Sequence, residues 1–295
     1  MDQVCSIQKY VDHDPGPERM DYACGRLSKD GDTGTDFRVP DYPTMERGVA
    51  VVAAAPGVVS AVRDGMEDVS VAEIGHEAIR GRWAGNGVVV DHGNGFETQY
   101  SHLRRGSVAV AVGQRVTTGE TLGLIGLSGN TEFPHLNFSV RYRGRPVDPF
   151  VGLSAFTNCG DPRKPLWSAA AAARLPYRAT VLLKTGFAGE RPDPRAARHG
   201  AYDNPLPASA EALVFWVDVS GAMAGDRERF LVTGPGGATL MEREQRISDS
   251  NISWFSFAGL RRPPGGWPAG VVTASYALIR DGAPVVSASR TIAFE

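Results

Sequence analysis

From His135 to Tyr142 polar and apolar residues alternate without a break. His135, Asn137, Ser139 and Arg141 fall on one side of a predicted strand, and Leu136, Phe138, Val140 and Tyr142 fall on the other. A strand of this pattern buries its second face and presents its first, so His135 and Asn137 stand together on the open side. Upstream, Gly87-Val-Val-Val90 and Phe96-Glu-Thr-Gln-Tyr100 flank the turn Asp91-His-Gly-Asn-Gly95, which predicts a β-hairpin whose return strand runs on to Ser101 and His102. Shorter apolar runs, Val51-Val-Ala-Ala54, Val58-Val-Ser-Ala-Val62 and Leu122-Gly-Leu-Ile-Gly126, are divided by glycine and proline, and a more polar insertion occupies about 64–82. Together they predict a compact, mostly antiparallel sheet.

The second half carries a different rhythm. Pro165-Leu-Trp-Ser168 followed by five alanines predicts a short helix that Pro176 ends. Strand-like runs then recur at Ala179–Leu183, Leu213–Val219, Arg229–Thr233, Trp254–Phe257 and Gly270–Ile279, the last joined through Asp281-Gly282 to Val285–Ile292. Many short strands with turn signals predict a β-sandwich, immunoglobulin-like in type. Trp216, Trp254 and Trp267 read as packing residues, and no catalytic constellation falls in this half. The predicted organisation is a first domain over 1–160, a linker over 161–177 and a second domain over 178–295.

Composition narrows the partners. Apolar residues make up 42% of the 295, charged residues 22%, and the net charge is −2, an ordinary globular balance with no field to steer the chain toward nucleic acid or an anionic membrane. No apolar run reaches the ~18–20 residues of a membrane span, and Met1-Asp-Gln does not open a signal peptide. Cys5 and Cys24 bracket a loop rich in turn residues, Asp12-His-Asp-Pro-Gly-Pro17, and are expected to pair in a disulfide worth ~3 kcal/mol. Three reduced thiols, and pairings that involve Cys159, stand as the alternatives.

The order of motifs is more specific than any one of them. Gly-Thr-Asp-Phe37 comes first, then Asp91-His-Gly-Asn-Gly-Phe-Glu-Thr-Gln-Tyr-Ser-His-Leu103, then a Val-x-x-Gly rhythm around Gly113-Gln-Arg-Val-Thr-Thr-Gly119. Pro134-His-Leu-Asn-Phe-Ser-Val-Arg141 and Gly144-Arg-Pro-Val-Asp-Pro149 follow. This series, over roughly Gly31 to Phe150, resembles the lysostaphin/LytM-type zinc endopeptidases, which cut peptide cross-links of bacterial peptidoglycan. The resemblance implies an antiparallel β-sheet peptidase domain, a peptidoglycan peptide as ligand, and a periplasmic or secreted location. In that family zinc is held by a His, by an Asp four residues later, and by the second His of a His-x-His strand. Those positions fall here on Asp32, Asp36 and Asn137, so two of the three ligands depart from the pattern. The family's two non-ligand histidines, which act on the bound water and the developing oxyanion, match His102 and His135. A biotinyl- or lipoyl-carrier reading of the same rhythm fails, since no lysine lies between Lys29 and Lys164.

An Asp, Asp, Asn set is poor for zinc, which favours imidazole and thiolate, and better matched to hard cations such as calcium, magnesium or manganese. Zinc is therefore expected to bind weakly or not at all. The favoured function is a non-catalytic peptidoglycan-binding or hydrolase-regulating pseudopeptidase, with a cell-wall hydrolase or another envelope protein as partner. The alternative is an active metalloendopeptidase with a non-standard metal site. Taken alone, Asp32 reads as a turn residue, His92 as structural, and His13, His76 and His199 as solvent-exposed.

Overall fold

The computed structural model describes residues 5–294. The chain divides into two compact units, one running through Arg178 and one beginning at Ala179.

The first unit has strands β1 (Ser6–Lys9), β2 (Thr35–Arg38), β3 (Ala50–Val52), β4 (Gly57–Arg63), β5 (Asn86–Gly93), β6 (Phe96–Leu103), β7 (Arg115–Val116), β8 (Thr121–Leu124), β9 (His135–Tyr142) and β10 (Arg145–Val147). The main sheet runs β1-β2-β9-β6-β5-β4-β7 with β10 added to β9, and β3 pairs with β8 apart from it. Its hairpins are made by residues that tolerate left-handed backbone. Asn94 and Gly95 (φ 52° and 85°) turn β5 into β6, and Arg143 and Gly144 (φ 50° and 77°) turn β9 into β10. Two consecutive positive φ values match the right-handed twist of the strands they join.

Alternation along these strands sorts the faces. Val88, Val90, Tyr100, Phe138 and Val140 are buried in one apolar cluster with Leu103, Leu122 and Ile125. The opposite face of β9 and β6 carries a polar ladder, Ser101 opposite Asn137, Gln99 opposite Ser139 and Glu97 opposite Arg141. Arg141 bonds both Glu97 and Gln99 across it. A second cluster holds the segment before β2 to the domain: Tyr10, Tyr22, Leu27 and Phe150 are buried together, with Tyr177 packed on them. The polar insertion is tied in by Asp64 and Asp68, whose carboxylates accept backbone N–H bonds from Gly106, Arg105 and Leu127.

The disulfide differs from the sequence expectation. Cys24 pairs with Cys159, at a Cα–Cα distance of 5.8 Å, and Cys5 is free. The reason is the unforeseen strand β1, which starts at Ser6 and sets the preceding Cys5 half-buried against the apolar cluster, where burial pushes its thiol up to about 11. Cys24 stays outside on a tight turn, its N–H bonded to the Asp21 carbonyl.

The second unit is a pair of antiparallel sheets. Strands β11 (Val181–Ala188), β12 (Ala212–Ala222) and β15 (Asn251–Arg261) form one; β13 (Arg227–Thr233), β14 (Thr239–Arg246), β16 (Gly270–Arg280) and β17 (Ala283–Phe294) form the other. Phe215, Val217 and Val219 of β12 meet Phe230 and Val232 of β13 and Val272, Ala274 and Leu278 of β16 in one core. Asp281-Gly282 turns β16 into β17 with both φ values positive. Glu228 is fully buried in this unit, its carboxylate accepting from Trp254 Nε1, Ser256 Oγ and Tyr276 OH.

Candidate functional site

The pairing of β2 with β9 sets Asp36 opposite Asn137 and Arg38 opposite His135, and the pairing of β9 with β6 sets Asn137 opposite Ser101. One strand pair thus assembles most of the site from residues about a hundred apart in sequence. His102 enters by a different device. By alternation it would share the core-facing side of Tyr100. Instead the β5–β6 register skips it, Gly87 facing Ser101 and Asn86 facing Leu103, so His102 is the extra residue of a bulge. Its φ of 64° is left-handed, uncommon outside glycine, and it re-aims the ring. The His102 and His135 ring centroids end 4.7 Å apart.

Both imidazoles are anchored through Nδ1. His102 Nδ1 donates to the Ser128 carbonyl at 2.7 Å. His135 Nδ1 lies 3.0 Å from the Phe133 carbonyl and from Thr131 Oγ1, whose own proton goes to that same carbonyl. Each ring is thereby held in the tautomer that leaves Nε2 as a lone pair. Burial disfavours their charged forms. It is the main cause that drives His102 down to about 3, with a smaller push from His135, and it lowers His135 as well against the opposing pull of Asp36. Both are neutral bases at neutral pH.

The carboxylates are already engaged. Asp36 is fully buried; its Oδ1 accepts from Asn137 Nδ2 at 2.8 Å and lies 3.5 Å from His135 Nε2. Its Oδ2 lies 2.8 Å from Lys9 Nζ. The same ammonium donates to Asp32 Oδ2 at 2.9 Å, while Asp32 Oδ1 takes the Gly34 N–H in the turn foreseen for it. Burial works against the charge on Asp36, but His135 when protonated, the Lys9 ammonium and the Asn137 N–H outweigh it and hold the carboxyl low. Because burial keeps His135 neutral, Lys9 is the standing positive charge. Burial likewise opposes the Lys9 charge, and the two aspartates more than reverse this, holding its amine above the ordinary lysine range.

Lys9 was not singled out from sequence. It ends a four-residue strand, Ser6-Ile-Gln-Lys9, with no motif around it, and it reaches the site through the pairing of β1 with β2, where Lys9 faces Asp36 after a bulge at Gln8.

The structure therefore brings Asp32, Asp36, His102, His135 and Asn137 into one cluster and adds Lys9. The other histidines lie elsewhere. His92 bonds the Pro56 carbonyl and Thr98 Oγ1, each at 2.8 Å. His13, expected to be exposed, is instead mostly covered and bonds buried Asp148 at 2.8 Å, because the segment before β2 folds back over the domain.

Zinc, which the family resemblance implies, does not fit these donors. Asn137 turns its amide nitrogen, a donor and not a ligand, toward Asp36, and its Oδ1 accepts from Ser139 at 3.2 Å. Asp36 and Asp32 share a cation that the chain itself supplies. Among the described residues no three His, Cys, Asp or Glu side chains converge as a metal-holding group.

Residues 31–149 match the model of Peptidase family M23. Over 115 residues the chain is 36% identical to the peptidoglycan DD-endopeptidase ShyA of Vibrio cholerae, covering 39% of this chain and 21% of the relative. Over 119 residues it is 33% identical to the DD-carboxypeptidase/endopeptidase Mpg of Neisseria meningitidis, covering 40% and 21%. The chain thus spans about a fifth of the length of these curated relatives. Among solved structures, the catalytic domain of lysostaphin from Staphylococcus simulans is 20% identical with a TM-score of 0.32, over 48% of this chain and 85% of that one.

Proposed function

We propose, from the premise that residues 31–149 form an M23 peptidase domain, that this protein binds peptidoglycan peptides without cleaving them and acts as a pseudopeptidase in the cell envelope. The observation that carries the reading is the Lys9 ammonium, 2.8 Å from Asp36 and 2.9 Å from Asp32, in the midst of the positions that match the family's ligands. Hydrolysis of a peptide bond needs a water brought toward hydroxide and a stabilised oxyanion. An ammonium donates protons and does not polarise water as a divalent ion does, so the water keeps a pKa far above ~7. His102 and His135 are neutral and accept hydrogen bonds, yet a general base alone supplies only ~10²–10⁴-fold.

What remains is a recognition surface. The half-buried ladder of Asn137, Ser139, Gln99, Glu97 and Arg141 offers donors and acceptors along an extended ligand, with the buried His102 and His135 at its end. The name of the Vibrio cholerae relative, a peptidoglycan DD-endopeptidase, supports a cell-wall peptide as that ligand. Regulation of a cell-wall hydrolase in the periplasm or outside the cell is the role that fits such a domain, with the second unit, an immunoglobulin-like sandwich in this reading, docking the partner.

An active endopeptidase with a non-standard cation is the second reading, and the retained, Nδ1-anchored histidine pair favours it. Purified sacculi separate the two. The protein should co-sediment with sacculi and release no soluble muropeptides with zinc, manganese or calcium added. Metal-dependent muropeptide release reinstates the enzyme.

A further inference from the structure

We infer that Lys9 is the resident cation of this site: its ammonium occupies the place between Asp36 and Asp32 that a divalent ion would need, and the segment that carries it is a built-in plug against metal entry. The inference deepens the pseudopeptidase reading and rests on it.

Changes at two ligand positions alone would leave two carboxylates beside neutral imidazoles, an open invitation to some cation. The structure has no such vacancy. Lys9 Nζ sits within 2.8 Å of Asp36 Oδ2 and 2.9 Å of Asp32 Oδ2, and its side chain is only 18% exposed. The remaining Asp36 oxygen is taken by Asn137. A divalent ion at either carboxylate would stand beside a fixed positive charge and would have to expel it first.

Expulsion is resisted by how the segment is built. β1 pairs with β2 through Ser6–Arg38, Ile7–Phe37 and Lys9–Asp36, so Lys9 is held by the same strand that holds its carboxylate. The next residue, Tyr10, is almost fully buried between Tyr22 and Phe150, with its N–H bonded to the Leu27 carbonyl. The Asp12 N–H bonds the Asp32 carbonyl, and the Asp12 carboxylate accepts from the Met20 and Gly31 N–H groups. Cys24, in the same segment, is cross-linked to Cys159. Lys9 therefore leaves the site only by bending its own side chain away or by unseating the whole segment.

The test compares zinc affinity by calorimetry in two backgrounds that keep both carboxylates and restore one imidazole, Asn137→His with Lys9 retained and Asn137→His with Lys9→Met. Zinc should bind about 100-fold more tightly when Lys9 is replaced, the upper range of coupling between competing sites. Equal affinity in the two backgrounds overturns the inference. Should Lys9→Met fail to give a native near-ultraviolet circular dichroism spectrum, acetic anhydride labelling of the unaltered chain decides. Lys9 should then be labelled at least ~10-fold more slowly than exposed Lys29 and Lys164, since a paired ammonium is not a nucleophile, and equal labelling rates overturn the assignment. Muropeptide release by the unaltered chain would sink the pseudopeptidase reading and the plug with it, whereas equal zinc affinities without muropeptide release would sink the role of Lys9 and leave that reading to rest on the two changed ligand positions.

Discussion

His102 stands 4.7 Å from His135, ring to ring, and it does so from a backbone conformation, φ 64°, that a non-glycine residue seldom adopts. Regular β geometry would have sent its ring into the apolar layer with Tyr100. The cost of the left-handed conformation is met by a fixed surround: its N–H bonds the Ala84 carbonyl, its carbonyl accepts from Gly126, and its Nδ1 bonds Ser128. Strain held in place by several independent bonds marks a position where geometry serves the site.

Glycine substitution isolates that strain. His102→Gly removes the ring and the strain together, whereas His102→Ala removes the ring and keeps the strain. The glycine variant should therefore be the more stable of the two by ~1 kcal/mol, read from urea midpoints at equal slope. An alanine variant as stable as the glycine variant would show that the conformation carries no strain.

Acidification should unfold the first unit early. The folded His102 titrates at about 3, below the ordinary 6.5, so between those values the unfolded chain holds a proton that the folded chain does not. Stability from this group is complete above about pH 6.5 and is lost progressively as pH falls toward 3. His135 is lowered too and acts in the same direction. Asp36, also lowered, keeps its contribution through this window and loses it only below 3.8. The urea midpoint should fall between about pH 7.5 and about pH 5, and His102→Asn should flatten that fall. An unchanged pH slope in the variant would mean that His102 is not held neutral by burial.

Gly34 should not tolerate a side chain. A Cβ at this position would lie 2.5 Å from Asn137 Nδ2 and 2.6 Å from its Oδ1, closer than any real contact. Gly34→Ala should cost ~1–3 kcal/mol by overpacking, and shortening the neighbour in Gly34→Ala/Asn137→Ser should recover part of it. No recovery in the double variant would place the cost in the Gly34 backbone instead.

The site was legible wherever one strand pair made it. Asp36, Asn137 and His135 follow from alternation in β9 and from motif order, because antiparallel pairing at a fixed register needs no information from elsewhere in the chain. Lys9 was illegible because its place depends on a four-residue strand whose partner is set by the tertiary fold. The second unit repeats the contrast. Strands β12 and β16 announce themselves as apolar runs, whereas β14, Thr-Leu-Met-Glu-Arg-Glu-Gln-Arg, lies at a sheet edge with most of its side chains toward solvent. Its residues were chosen for cross-strand ion pairs, Glu242 with Arg229 and Glu244 with Arg227, and for the charge that protects an edge. A burial pattern cannot reveal a strand that buries little.

The Cys24–Cys159 bond was hidden for a related reason, since proximity in sequence favoured Cys5 and only the fold brings residues 135 apart together. Such a bond restrains a long loop in the unfolded chain and is worth ~4–5 kcal/mol on the chain-entropy account. Its reduction, or Cys159→Ser, should lower the melting temperature of the first unit by several degrees, and Cys5→Ser should not, because Cys5 is a free thiol whose burial keeps it protonated. Calorimetry with and without a phosphine reductant reads the effect. A melting temperature that drops on Cys5→Ser but not on Cys159→Ser would restore the Cys5–Cys24 pairing. The loss should also loosen the segment that carries Lys9, so the reduced protein should acetylate Lys9 faster than the oxidised protein while Lys29 is unchanged.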